Sequence, residues 1–287
     1  MVGSTIKSGA YARAEGPRPG AVAAPGRGRL PVRAAEFCFA AAMRLAPRRR
    51  RFGAAVRMAG AVAALLRLTS AYREQEVKGF DGPREIALHF MLNALTRNGA
   101  RFDPAVRVNG FEELERALAA GRGVLVVGPH AALTLLMIRL FHDRGLDPVV
   151  VSPDPGMRVA GTTATARTIQ PSPTFLVKAR GRLRRGGLVC AMPDRAEHHG
   201  ERTVEFDTAG GRVIVAPALL HVAARCGARV LFTEAHAEGR SVVAGVIAPP
   251  ADASSGDAIL EGFKEFVRAR AQAQAARRGR GRGAGTV

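Results

Sequence analysis

The chain lacks any apolar run long enough to cross a membrane. Phe37 to Ala46 is apolar except at Arg44, and Phe52 to Leu68 is interrupted by Arg57 and Arg67. A spanning helix needs roughly 18–20 uncharged residues in succession. Nor does the amino end carry an apolar segment suited to a signal peptide. Cysteine is scarce: Cys38, Cys190 and Cys226 are odd in number, widely spaced and set among apolar neighbours. This excludes a disulfide framework and a cysteine-based metal spacing, and implies small buried thiols in a reducing, cytosolic-side setting. Aromatics are only 5% of residues and no nucleic-acid motif is present, so specific nucleic-acid recognition by stacking is not expected. Non-specific, salt-sensitive binding through a basic tail stays open. A Walker-type phosphate loop, a Gly-x-Gly-x-x-Gly turn and a Gly-x-Ser-x-Gly elbow are missing too.

What the chain has in excess is positive charge. Its net charge is +19, carried mostly by arginine, which suits an anionic partner: a phospholipid surface, an acidic carrier protein or nucleic acid. With 287 residues, 47% of them apolar, one large core is affordable.

Residues 1–34 are rich in Gly, Pro, Ala and Arg without periodicity and read as a disordered arm. Residues 35–80 carry the two apolar pieces around the run Arg48 to Arg51. They suit amphipathic helices lying in a membrane interface with arginines snorkelling to phosphates. An amphipathic helix packed on the domain fits the same pattern. From about residue 81 to 276, helix-like and strand-like stretches alternate, which predicts an α/β domain. The pattern predicts helices over 82–98, 111–120, 131–143, 175–185, 216–226 and 259–276. It predicts buried strands over 124–127, 149–151, 188–192 and 230–233, with 241–247 as a further strand. Residues 277–287 read as a disordered Arg/Gly tail.

The chemistry concentrates at one corner. Val124 to Val127 is a short buried strand, stopped by Gly128-Pro129, which delivers His130 ahead of a helix predicted from Ala131. The carboxyl end of a strand meeting the amino end of a helix is where α/β proteins tend to place active groups. It would also set unpaired backbone N–H groups beside the histidine. Near neutral pH a histidine there can act as general base, given a carboxylate on its other nitrogen; a capping or buried neutral histidine fits equally. Asp194, which ends another strand, can share the rim or serve as a turn residue. Glu205 and Glu234 are weaker alternatives. Arg158, Arg167 and Arg195 fall in loops expected to face the rim, where they would bind a phosphate or stand as solvated charges. Asp194, His198 and His199 match no metal-binding spacing.

Four ordered blocks resemble a known family. They are Val108-Asn109-Gly110-Phe111-Glu112-Glu113-Leu114; Gly121-Arg122-Gly123-Val124-Leu125 leading to His130; Leu183-Arg184-Arg185-Gly186-Gly187 leading to Pro193-Asp194; and Ala216 to Ala228. Their order and spacing resemble the lysophospholipid acyltransferase superfamily, in particular the bacterial lipid A late acyltransferases (lauroyl and myristoyl transferases). The resemblance implies a mixed sheet flanked by helices and an N-terminal membrane-associating segment. It implies acyl transfer from a carrier thioester, acyl carrier protein or acyl-coenzyme A, to a lipid or glycolipid hydroxyl. It also implies no metal or organic cofactor, and a peripheral position on the cytoplasmic face of the inner or plasma membrane. In it His130 deprotonates the acceptor and Asp194 matches the aspartate of the third block. The family's partner acid, five residues after the histidine, is replaced by Leu135. Either the acid comes from elsewhere, the enzyme works without one, or the domain no longer catalyses and binds only lipid or an acyl carrier.

Overall fold

The computed structural model describes residues 39–66, 83–131, 133–194, 202–238, 241–249 and 254–283. The expected arm (1–34) lies outside them. The chain is an α/β fold built on a seven-stranded mixed sheet, with helices on both faces.

In chain order the elements are α1 (Arg48–Leu66), α2 (Pro83–Arg97), β1 (Val106–Asn109), α3 (Phe111–Ala119), β2 (Val124–Val127), α4 (Leu135–Asp143), β3 (Pro148–Val151) and β4 (Arg167–Ile169). They continue with α5 (Phe175–Arg184), β5 (Leu188–Ala191), β6 (Val204–Thr208), β7 (Gly211–Val215), α6 (Ala218–Arg225), β8 (Arg229–Glu238), β9 (Ser241–Ile247) and α7 (Gly256–Gly283). The sheet order is β1-β9-β8-β2-β5-β3-β4, and β6 and β7 form a separate hairpin. Strands β8, β2, β5, β3 and β4 are parallel, whereas β9 runs antiparallel to β8 and carries β1 parallel to itself.

Period-two side-chain alternation divides the core. Val124 and Val126 face a cluster with Leu114, Met137, Phe141 and the buried residues of α1 and α2. Leu125 and Val127 face the opposite cluster with Ala179, Leu220 and Phe263. A parallel strand covered on both faces must be apolar throughout, which is why β2 and β5 read as unbroken hydrophobic runs.

The first helix settles its own packing. Phe52, Ala55, Val56, Ala59 and Ala63 are buried and join the core beside α2, while Arg49, Arg50 and Arg57 are exposed. The apolar stripe expected at a membrane interface is therefore the stripe that packs on the domain. No described helix is long and apolar enough to cross a membrane. At the other end, helical backbone runs on to Gly283 through most of the expected Arg/Gly tail; intrahelical hydrogen bonds propagate through a segment whose composition suggested disorder.

Close backbone approach fixes one glycine in the block before β2. A Cβ on Gly123 would lie 2.0 Å from the carbonyl oxygen of Leu183 at the end of α5. Gly123→Ala is expected to cost about 1–3 kcal/mol by overpacking, read from urea denaturation. An unchanged midpoint would mean that the 183–187 turn yields freely.

Candidate functional site

The parallel pairing of β2 with β5 builds the corner. Val127 is opposite Ala191, and the Gly128 N–H still donates to the Ala191 carbonyl at 3.3 Å beyond the last pair. Three residues past each strand end stand His130 and Asp194, so equal offsets on neighbouring strands place them side by side. Asp194 Oδ2 accepts the backbone N–H of His130 at 2.6 Å, a charge-assisted bond that holds the histidine's main chain. The imidazole Nδ1 lies 3.0 Å from Met192 Sδ. A thioether sulfur accepts but cannot donate, so this contact favours the proton on Nδ1. Both His130 and Asp194 are half-buried.

The expected compensating acid thus sits beside the expected base and grips its backbone, and a sulfur reaches its ring. Asp194→Ala is expected to cost about 1.5–3 kcal/mol, the range for a hydrogen bond to a charged group. Asp194→Asn, which keeps an accepting oxygen, should cost less. Thermal denaturation of both variants checks this, and equal loss in the two would locate the effect in the charge alone.

The turn after His130 differs from expectation. The helix begins at Leu135, not Ala131. Between them the Ala131 N–H donates to Pro129 O at 2.7 Å, the Thr134 N–H to Ala131 O at 3.1 Å, and the buried Thr134 hydroxyl to Pro129 O at 3.1 Å. The physical reason is Pro129, whose carbonyl is turned inward and gathers these donors into a tight turn. Backbone N–H groups expected to be unpaired beside the histidine are engaged: His130 on Asp194, Ala131 on Pro129. Leu135 occupies the first helical position and is half-buried.

Gly128 is the second glycine that the geometry demands. A Cβ there would lie 2.6 Å from the Thr233 carbonyl oxygen of β8, so only glycine lets the chain leave the sheet toward Pro129. Beneath the corner, Met137, Ile138, Phe141, Val150, Cys190 and Met192 line an apolar crevice of about 20 Å³, room for about one water-sized sphere. Burial pushes the Cys190 thiol far above its ordinary range, as an inert core cysteine requires.

The arginines are dispersed. Arg167 opens β4 opposite Val149, near the amino end of β3. Its Nη1 is 2.7 Å from Asp147 Oδ2, an oxygen shared with Arg182 at 3.1 Å. That is the end of the sheet away from His130, so its expected place on the rim is corrected; the unread strand β4 is the reason. Arg158 is exposed, and its Nη1 approaches the carbonyls of Thr96 and Arg97 at 3.4 and 3.5 Å. It closes the carboxyl end of α2, as a cation suits, and is likewise not brought to His130. Arg195 and the loop with Glu197, His198, His199 and Glu201 lie outside the described residues. Glu205 pairs with Arg212 on the separate hairpin at 3.3 Å. Glu234 pairs with the buried Arg270 at 3.1 Å. Among the described residues no group of three or more His, Cys, Asp or Glu is placed to hold a metal ion.

One polar feature unmarked in the sequence is Arg139 of α4, buried at 5% exposure. Its Nε lies 2.7 and 2.6 Å from the two oxygens of Asp143, and its Nη1 donates to Phe102 O at 3.2 Å and Ala160 O at 3.0 Å. The spacing of Arg139 and Asp143, one helical turn apart, was the available signal.

Set against known proteins, the chain matches no family model and no curated protein sequence.

Proposed function

We propose that the protein is a membrane-associated acyltransferase that moves a fatty acyl chain from a carrier thioester to a hydroxyl of a lipid or glycolipid. The observation that carries this reading is the side-by-side placement of His130 and Asp194 at the carboxyl ends of adjacent parallel strands. The order of sequence blocks resembling the lysophospholipid acyltransferases supports it. In the proposed step Nε2 of His130 takes the acceptor's hydroxyl proton as the oxygen attacks the thioester carbonyl. The C–O bond forms, the C–S bond breaks, and the departing thiolate recovers the proton from the imidazolium. Asp194 positions the histidine's backbone; Met192 sets its tautomer.

Other features fit the substrates. The exposed side of α5 carries Lys178, Arg180 and Arg184, with exposed Arg185 just past its end, suited to an acidic carrier protein or to the phosphates of coenzyme A. Exposed Leu45 and Met58 accompany Arg49, Arg50 and Arg57, a mixture suited to peripheral contact with anionic lipid. An acyl chain would enter the crevice below the corner only by moving Met137 and Met192, whose unbranched thioethers repack readily.

A second reading rests on Leu135: a catalytically lapsed protein of the same fold that binds lipid or an acyl carrier. No carboxylate stands between His130 and Asp143 in the sequence, and a thioether cannot stabilise an imidazolium as a carboxylate does. Mass-spectrometric lipid profiles of cells with the intact gene, without it, and with His130→Ala separate the two. Under the first reading one lipid class gains an acyl chain only when His130 is present. No change in any lipid, with transfer appearing on Leu135→Glu, would establish the second.

A further inference from the structure

A second cleft opens away from the His130 corner, between the later turns of α7 and the β8–β9 hairpin. It is about 200 Å³ in volume, where about 150 Å³ of apolar cavity suffices for a benzene ring. One wall is apolar: Ile247, Phe266, Ala269 and Ala273. The rest is polar, and its groups are unequally satisfied. Arg270 is answered by Glu234 at 3.1 Å and donates to Ala235 O at 3.0 Å. Gln274 is more than nine-tenths buried, lines the cleft, and makes no hydrogen bond with any described residue. Its carboxamide oxygen and nitrogen are not sealed in the core, so both are open to whatever occupies the cleft. Arg277 lies at the cleft with no ion pair to any described residue. Because Glu234 already cancels Arg270, the cleft's excess is one positive charge.

The geometry points to this cleft as a binding site for a small organic acid, a monoanion with an apolar body. Its carboxylate accepts from the Gln274 amide and faces Arg277, and its body lies along Phe266, Ile247 and the two alanines. A phosphate dianion would exceed the single unanswered charge; a neutral apolar molecule would leave Gln274 unsatisfied. His236 reports on the site. Burial and the charges of Arg277 and Arg270 hold it below its ordinary value, against the opposing pull of Glu234 and Glu238. A bound carboxylate facing Arg277 removes part of that repulsion and moves the His236 titration upward.

The test is titration of the full-length protein with phenylacetate and with hexanoate, followed by NMR of the histidine rings. Saturable binding by at least one acid is expected. Gln274→Leu and Arg277→Gln should each weaken it about tenfold, the scale of one charge-assisted hydrogen bond. Phenylacetamide, matched in shape but uncharged, should bind at least as much more weakly, and the His236 midpoint should rise with the acids alone. Arg277 is exposed, so its variant keeps the test valid if Gln274→Leu fails to fold. His130→Ala should leave the affinity unchanged, which separates this site from acyl transfer. Absence of saturable binding by both acids, equal binding of phenylacetamide, or affinity unchanged in both variants overturns the assignment.

Discussion

Arg139→Met is expected to lower stability modestly, whereas Arg139→Ala should cost about 2–4 kcal/mol, from two carbonyls left without a donor and the space opened beside them, since the partner Asp143 is 43% exposed and adds little. The difference follows from what Arg139 holds. Its guanidinium joins Asp143 on its own helix to the carbonyls of Phe102 and Ala160, two segments far apart in sequence. Alanine leaves both carbonyls short of a donor and opens space beside Phe102, which is fully buried. Methionine fills much of the space and forfeits only the polar contacts. Urea denaturation of the two variants measures both numbers, and a loss below about 1 kcal/mol for alanine would make this an ordinary surface pair.

His130→Ala should reduce acyl transfer at least about 10³-fold while leaving the fold in place, since loss of a general base alone reaches about 10⁴ in comparable machinery. Folding is spared because Asp194 grips the histidine's backbone N–H, which alanine retains. An activity loss accompanied by a collapse in melting temperature would instead assign His130 a structural role. Residual transfer should persist in Asp194→Asn, which keeps the acceptor oxygen that positions the chain.

The corner was legible because its signals are strong and local. Glycine and proline punctuate an apolar run, and two strands end with polar residues at the same offset. The atom that Asp194 would hold was not legible, since only the β2–β5 register and the turn after Pro129 decide between ring and backbone. Strands β1, β4, β6 and β7 were missed for a common reason. Each lies at an edge or in the small hairpin, half-exposed and mixed with charged residues, so none shows a buried run. Missing β4 misplaced Arg167, because a residue thought to sit in a rim loop instead opens a strand at the opposite end. The apolar stripe of residues 52–63 was visible, but sequence periodicity does not say whether the covering surface is a membrane or α2. Composition hid the last turns of α7, where Arg and Gly suggested disorder and the backbone is helical.

Catalysis by His130 is open to a single assay. The most direct measurement is transfer of a labelled acyl chain from acyl carrier protein or acyl-coenzyme A into extracted membrane lipid, by purified protein and its His130→Ala variant. A labelled lipid product is expected with the native protein, and at least about 10³-fold less with the variant. Equal transfer by the two proteins would contradict it.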